Sequence, residues 1–320
     1  MKSPLPVRDG VNATRLRVPL SGPWRTVLEF VLERFGHVDP EGIRRRFAEG
    51  EVAAADGTRI RPETPLGAAE FIWYYRSPPA EQRIPFEVRL LHEDERLVVA
   101  DKPPFLPTTP GGRFLQETAL VRLRRLLDEP ELTPLHRLDR LTWGVVLFVR
   151  RAEDRGAYQQ LFERRRIEKS YEALAPAPRG ELADRLALGP VHVRSRLNKV
   201  KAQLRAFEEE GPPNAHSEIE LLTVLEPDAS APSGRGRALY RLTPHTGKTH
   251  QLRLHMAGLG LGIENDPFYP VLLDEAPDDY ARPLGLLARS IAFRDPHTGR
   301  NLTFCSRFDL ERPPEPSRAL

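Results

Sequence analysis

Five consecutive apolar residues, Val145, Val146, Leu147, Phe148 and Val149, lie between Gly144 and Arg150. A run this short, rich in β-branched side chains and bounded by a glycine and a charge, reads as a strand buried in a core. The residues just before it are of the opposite character: HRLDRLT, residues 136–142, sets Asp139 between Arg137 and Arg140. A polar cluster is thus delivered to the mouth of a rigid element. Binding and catalytic side chains concentrate in such places, and solvated turn charges do too.

At 320 residues the chain is long enough for one large domain plus a smaller one, and 40% hydrophobic residues supply a sizeable core. Nothing in it approaches the roughly 18 consecutive apolar residues of a membrane span, and the start MKSPLPVRDG has no apolar signal core. The expectation is a cytoplasmic protein with no membrane partner. The single cysteine, Cys305, excludes an internal disulfide framework and a multi-cysteine zinc site, in keeping with a reducing compartment. Net charge is only +3, but residues 101–205 hold 21 Lys and Arg against 13 Asp and Glu. That stretch attracts polyanions. The balance turns acidic around residues 264–279.

Residues 1–80 form a separate small module. Its pattern gives a helix over 26–35, a second and basic helix over 41–49 carrying Arg44, Arg45 and Arg46, and a hairpin turning at Asp56-Gly57. A Pro-rich polar stretch over 76–87 reads as a linker, taken as 81–87 between domains. The larger domain, 88–312, opens with a strand through Leu97, Val98 and Val99, stopped by Pro103-Pro104. An amphipathic helix over 116–128 turns Leu120, Leu123, Leu126 and Leu127 inward and Arg122, Arg124 and Arg125 outward. Strand 145–149, a helix over 152–165 and strand-like segments at IEKSYEALA, EIELLTVLE and RALYRLTP follow. Segments 211–216 and 231–237 read as turns or loops, and 313–320 as a tail.

Three polar stretches are not explained by core packing: HRLDRLTWG (136–144), EKSYEAL (168–174) and TPHTGKTHQLRLHMAGLGLGI (243–263). The last contains a helix that Thr249 could cap, with Leu252, Met256 and Leu259 inward and His250, Arg253 and Ala257 on a line that can face a cleft. His136, Asp139, His245, His250 and His255 are ligand types for a divalent metal and would suit a nuclease. However, His250 and His255 are five apart and so face different sides of a helix, and no second carboxylate accompanies Asp139 in its motif. Ser-His-Asp catalysis lacks a G-x-S-x-G elbow. A lone Asp139 working with Arg253 and Tyr171 remains open. Arginine would oppose the effect of burial on the carboxylate, tyrosine offers a flat ring and a hydroxyl, and surrounding basic residues would hold phosphate.

HRLDRLTWG resembles the H-R-L-D-[RK]-x-T-x-G signature of the RluA-type RNA pseudouridine synthases. In the same order as in that family, LLHEDERLVVADKPPFLPTTP resembles its opening strand and K-P loop, and EKSYEAL its tyrosine strand. TGKTHQLRLHMAGLGLGI then resembles its T-G-[RK]-T-H-Q-[IL]-R-x-H segment, and LLARSIAFRDPHTGR its closing strand. The match spans about residues 88–308. The resemblance implies an α+β fold, in which a mixed, largely antiparallel sheet forms the catalytic domain, preceded by an S4-like RNA-binding module. It implies isomerisation of uridine in ribosomal or transfer RNA with no cofactor and no metal, by a monomer that needs no protein partner. By motif position Asp139 is the catalytic aspartate, Tyr171 the active-site tyrosine and Arg253 the arginine that pairs with the aspartate. Arg137, Arg140, Lys169, Lys248 and His250 are then expected at the RNA. Two departures stand out. Trp143 replaces a small residue, and IENDPFYP places Asn265 and Pro270 where the family has glycine. The alternative is a binding or ribosome-assembly protein on the same fold, inactive because Trp143 blocks the pocket.

Overall fold

The computed structural model describes residues 3–76, 81–200, 203–225 and 236–317. Residues 77–80 of the linker stretch, 231–235 of the second loop and 318–320 of the tail lie outside them. The chain divides into two compact units, one of Met1–Gln82 with Pro110–Glu117 and Val121–Pro130, the other of Arg83–Thr109, Thr118–Leu120 and Glu131–Leu320.

The smaller unit contains β1 (Thr14–Arg17), α1 (Val27–Phe35), α2 (Pro40–Ala48), β2 (Ala53–Ala54) and β3 (Phe71–Tyr74). Thr26 and Asp39 cap the two helices by accepting from the backbone N–H of Glu29 and Gly42. Val27, Phe30, Val31, Ile43 and Phe47 then pack with Val18, Val52, Ile60 and Ile72 into one core. The strands order β1-β3-β2, all antiparallel. The expected hairpin is reduced. Its turn forms, with Gly57 at φ +88°, but the return segment makes one bridge, Ala53 to Arg59, and β2 takes β3 as its strand partner instead.

The remaining elements are β4 (Arg89–Glu93), β5 (Leu97–Lys102), α3 (Ala119–Leu127), β6 (Thr133–Pro134), β7 (Trp143–Val149), α4 (Ala152–Glu163) and β8 (Ile167–Pro176). They continue with α5 (Glu181–Leu188), β9 (Val191–Asn198), β10 (Phe207–Glu209), β11 (Ala215–Val224), β12 (Arg237–Pro244), α6 (Gln251–Gly258), β13 (Leu286–Arg294) and β14 (Asn301–Cys305). The strands join in one sheet of order β10-β9-β11-β12-β8-β13-β7-β5-β4, with β14 on β13 and β6 on β7. Every pair is antiparallel except β7 with β13, so the sheet is mixed and largely antiparallel, as expected.

Strand β7 is buried at all seven positions. Val145, Leu147 and Val149 meet Tyr158 and Leu161 of α4 together with Ile291 and Phe293. An uninterrupted apolar run is what such a strand needs. Helix α3 corrects the sequence reading. It begins at Ala119 rather than 116, Leu126 is exposed, and Arg124, expected outside, is buried with its guanidinium donating to the Gly10 carbonyl at 2.9 Å. Periodicity marks an apolar face but gives no warning that a long arginine stem can be turned into a core.

The start of β7 is sterically exacting. Gly144 sits at φ +111°, and a Cβ there would lie 2.2 Å from the Ala288 carbonyl oxygen on the parallel partner β13. Gly144→Ala is expected to cost about 3 kcal/mol or more, read in a melt as a fall in Tm of roughly 6–12 °C. Gly57→Ala serves as control. Its φ is also positive, yet nothing lies within 4 Å, so only the backbone term of about 1 kcal/mol applies. Equal losses at the two positions would refute the steric account.

Candidate active site

The loop before β7 is tied down by three neighbouring groups. Thr108 Oγ1 donates to the Leu138 carbonyl at 2.8 Å and accepts the Leu138 N–H at 3.0 Å. Lys102, fully buried at the end of β5, donates to the carbonyls of Pro103, Leu106 and Arg140 at 3.0, 2.7 and 3.2 Å. His136 Nε2 accepts the Leu147 N–H at 3.2 Å, and burial holds its pKa down to about 3, so the ring is a neutral acceptor. Asp139, between these anchors, is presented by a loop with little freedom to move.

A cavity of about 660 Å³ opens at this loop, lined by Asp139, Tyr171 and Arg253 and also by Arg137, Arg140, Lys169, Lys248 and His250. All eight residues singled out in the sequence therefore share one recess, although they come from three separate stretches. Tyr171 projects from β8, where it pairs with Leu242 of β12. Burial first, and the charge of Asp139 second, push its phenol well above the usual range. Lys169, two residues earlier on the same strand, has its pKa lowered by burial. Arg137 and Lys248 are exposed at the rim. Arg140 is engaged, forming a two-pronged ion pair with Asp278 at 2.7 and 2.9 Å.

Arg253 arrives on α6. This helix is not capped by Thr249. Its N-cap is His250 in the left-handed region at φ +56°, with no side-chain cap bond. The buried Gln251 amide organises the turn instead, accepting from Thr246 Oγ1 and the Lys248 N–H and donating to the His216 carbonyl and Ser217 Oγ. His255 faces away from the cavity, between Ser195 and Ser217.

The strongest partner of Arg253 is a residue the sequence reading passed over. Its guanidinium lies 3.9 Å from Asp139 Oδ2 but makes two bonds to Asp266, at 2.7 and 2.5 Å. Both side chains of that pair are sealed from water, at 1% and 0% exposure. Asp266 also accepts the N–H groups of Phe268 and Tyr269, and both rings lie against the Arg253 guanidinium, 4.9 and 5.4 Å from it. Arg253 is thus fixed by Asp266 and only approaches Asp139. The signal in the sequence is the aspartate of IENDPFYP, which sits inside the acidic stretch 264–279.

Trp143 and Asn265, two of the departing residues, have local explanations. Trp143 does not block the cavity. It is buried on the sheet, donates Nε1–H to the Leu284 carbonyl at 2.8 Å and packs against Phe308. The expected reason for inactivity is therefore absent. Asn265 adopts φ +58°, the backbone that glycine would otherwise supply, and its amide donates to the Pro283 carbonyl.

Removing the charge of Asp266 would leave a buried guanidinium without its counterion. Asp266→Asn should destabilise the protein by about 3–5 kcal/mol, seen as an earlier urea midpoint at unchanged slope. An unchanged midpoint would mean that Asp139 or solvent compensates the guanidinium and that Asp266 is not its anchor.

Comparison with known proteins agrees with the geometry. A family model described as RNA pseudouridylate synthase matches residues 96–258, half of the chain. The chain is 33% identical over 217 residues to the dual-specificity RNA pseudouridine synthase RluA of Pasteurella multocida, covering 67% of this chain and 90% of that protein. It is 29% identical over 305 residues to the ribosomal large subunit pseudouridine synthase C of the same organism, covering 88% and 86%. Among solved structures, human RNA pseudouridylate synthase domain containing 1 shares the fold with TM-score 0.52 at 19% identity, over 72% of this chain and 86% of that one.

Proposed function

Because this chain belongs to the RNA pseudouridylate synthase family, and within it to the RluA type, we propose that Asp139 is the carboxylate on which it isomerises uridine in ribosomal or transfer RNA. The observation that carries this reading is the convergence of Asp139, Tyr171 and Arg253 on one recess. The protein is an isomerase. Uracil leaves C1′, turns in place and rejoins the ribose through C5, so the N1–C1′ bond breaks, a C5–C1′ bond forms, C5 loses its hydrogen and N1 gains one. Such a reaction needs a grip on the detached base and exclusion of water more than it needs an external reagent.

Asp139 can act by attacking C1′, by adding to the base, or by taking a 2′ proton to give a glycal. A base stacked in a helix cannot reach a carboxylate held in a recess, so the target uridine is flipped out, and strand or stem-loop shape is read outside the pocket. Tyr171 offers its ring face to the flipped base. Because burial keeps its phenol protonated, it serves as a hydrogen-bond donor near neutral pH and not as a base. Arg137, Lys169 and Lys248 are proposed to hold phosphates around the recess. Arg140 contributes through its pair with Asp278 and the Lys102 bond to its carbonyl, by shaping the loop. Among the described residues no helix is long and apolar enough to cross a membrane. Cytoplasmic action as a monomer, with the small unit as an additional RNA contact, completes the proposal.

Release of tritium from RNA labelled at uracil C5 tests the reaction directly, since that hydrogen leaves only when C5 becomes the glycosidic carbon. Wild type should release it. Asp139→Asn should release none while still binding RNA, and full activity in that variant would overturn the assignment of Asp139. Tyr171→Phe should keep the stacking face and lose the donor, lowering kcat by about 10-fold or more with little change in KM. A change confined to KM would make Tyr171 a binding residue only.

A further inference from the structure

His250 was grouped from sequence with the RNA-contacting residues, but its hydrogen bonds give it a defined tautomer. Tyr269 has one hydroxyl hydrogen, which it donates to the Ala206 carbonyl at 2.8 Å. The 3.0 Å contact between Tyr269 Oη and His250 Nδ1 must then be made with the hydrogen on the ring nitrogen. In the neutral imidazole this leaves Nε2 bare. That nitrogen lies 3.7 Å from Asp139 Oδ2, on a side chain 8% exposed that lines the cavity.

We propose that His250 Nε2 is the base that removes the C5 proton after the uracil has rejoined the ribose. The inference rests on Asp139 being the reacting carboxylate. With the C5–C1′ bond made, C5 still carries its hydrogen and C6 is doubly bonded to N1. The C5–H bond breaks, its electron pair forms C5=C6, the C6=N1 pair moves to N1, and N1 takes a proton from water. The C5 proton goes to the Nε2 lone pair and from there to solvent, so the enzyme is restored and the product is an isomer of the substrate.

The surroundings suit this role. Burial lowers the His250 pKa and keeps the ring neutral before the step. Asp139 and Asp266 favour the imidazolium once formed, and Arg253 and Lys199 oppose it, which returns the proton. Tyr171 is excluded from the same task because its phenol is held protonated. Tyr269 and the Ala206 carbonyl orient the ring, much as a carboxylate orients a catalytic histidine elsewhere.

The test is His250→Asn. Asparagine tolerates the left-handed backbone at this position and can still donate an amide N–H toward Tyr269, but has no basic nitrogen. The variant should melt like wild type and bind RNA within about twofold, while kcat falls about 10²- to 10⁴-fold. It should also turn over RNA containing 5-deuterouridine more slowly than unlabelled RNA, by a larger ratio than wild type shows. The acid limb of the kcat profile, where Nε2 becomes protonated, should disappear. Tyr269→Phe, which leaves the ring but frees its tautomer, should lower kcat by a smaller factor. Undiminished kcat in His250→Asn would overturn the proposal. So would a fall in kcat without the larger deuterium ratio, which would make His250 a positioning residue. Activity surviving in Asp139→Asn would instead overturn the reading of the site on which this one rests.

Discussion

The buried pair between Arg253 and Asp266 is the constraint around which the site is organised. Taking two charges out of water costs several kcal/mol each, and the cost is offset only when geometry is good and the remaining donors and acceptors are used. Here the pair is bidentate, Asp266 accepts two further backbone N–H groups, and two aromatic rings lie against the guanidinium. Helix α6 and the segment after it are thereby locked together. Arg253 consequently stands beside Asp139 as a fixed positive charge rather than as a mobile side chain folded onto it. A transition state in which charge moves between carboxylate, base and ribose is better served by a fixed dipolar environment than by one that reorganises.

Asp139 is held by a different and complementary device. Lys102 and Thr108 occupy backbone groups of its loop at Arg140 and Leu138, and the loop's own His136 ring is tied to the strand by accepting the Leu147 N–H. None of these three has to touch substrate for the aspartate to be useful. Their effect is to remove conformational freedom from a loop whose next residue but four must be glycine, because β7 and β13 approach too closely for a side chain at Gly144. The polar cluster at the mouth of a buried strand is therefore a consequence of packing as much as of chemistry.

Much of this was legible in the chain. The apolar run of β7, the capped helices α1 and α2, the tyrosine strand β8 and the eight cavity residues could each be read from local pattern or family motif. Three of the readings that failed illustrate the physical reasons. Arg124 is buried, because an arginine stem can be accommodated wherever a carbonyl waits for its head. Thr249 does not cap α6, because the Gln251 amide satisfies the turn from inside the helix. Trp143 does not obstruct the pocket, because its indole N–H finds a carbonyl on the sheet side. The first and third depend on partners more than a hundred residues away in sequence.

Local pattern by itself marked the main buried strand, the helices of the small unit, the residue types that could carry chemistry and the family to which their order belongs. Elements β1, β3, α5, β9 and β10 went unread, and β11 begins at Ala215, inside a stretch read as a loop. Short-range periodicity and motif spacing are properties of neighbouring residues, and they survive in a string of letters. Tertiary structure alone decided that Arg253 belongs to Asp266 before Asp139, that Arg140 is held by Asp278, and which nitrogen of His250 carries the hydrogen. Those outcomes depend on distances of a few ångströms between groups 13 to 138 residues apart. Only the folded chain sets such distances, since packing leaves each polar group a few fixed partners where water would have offered many.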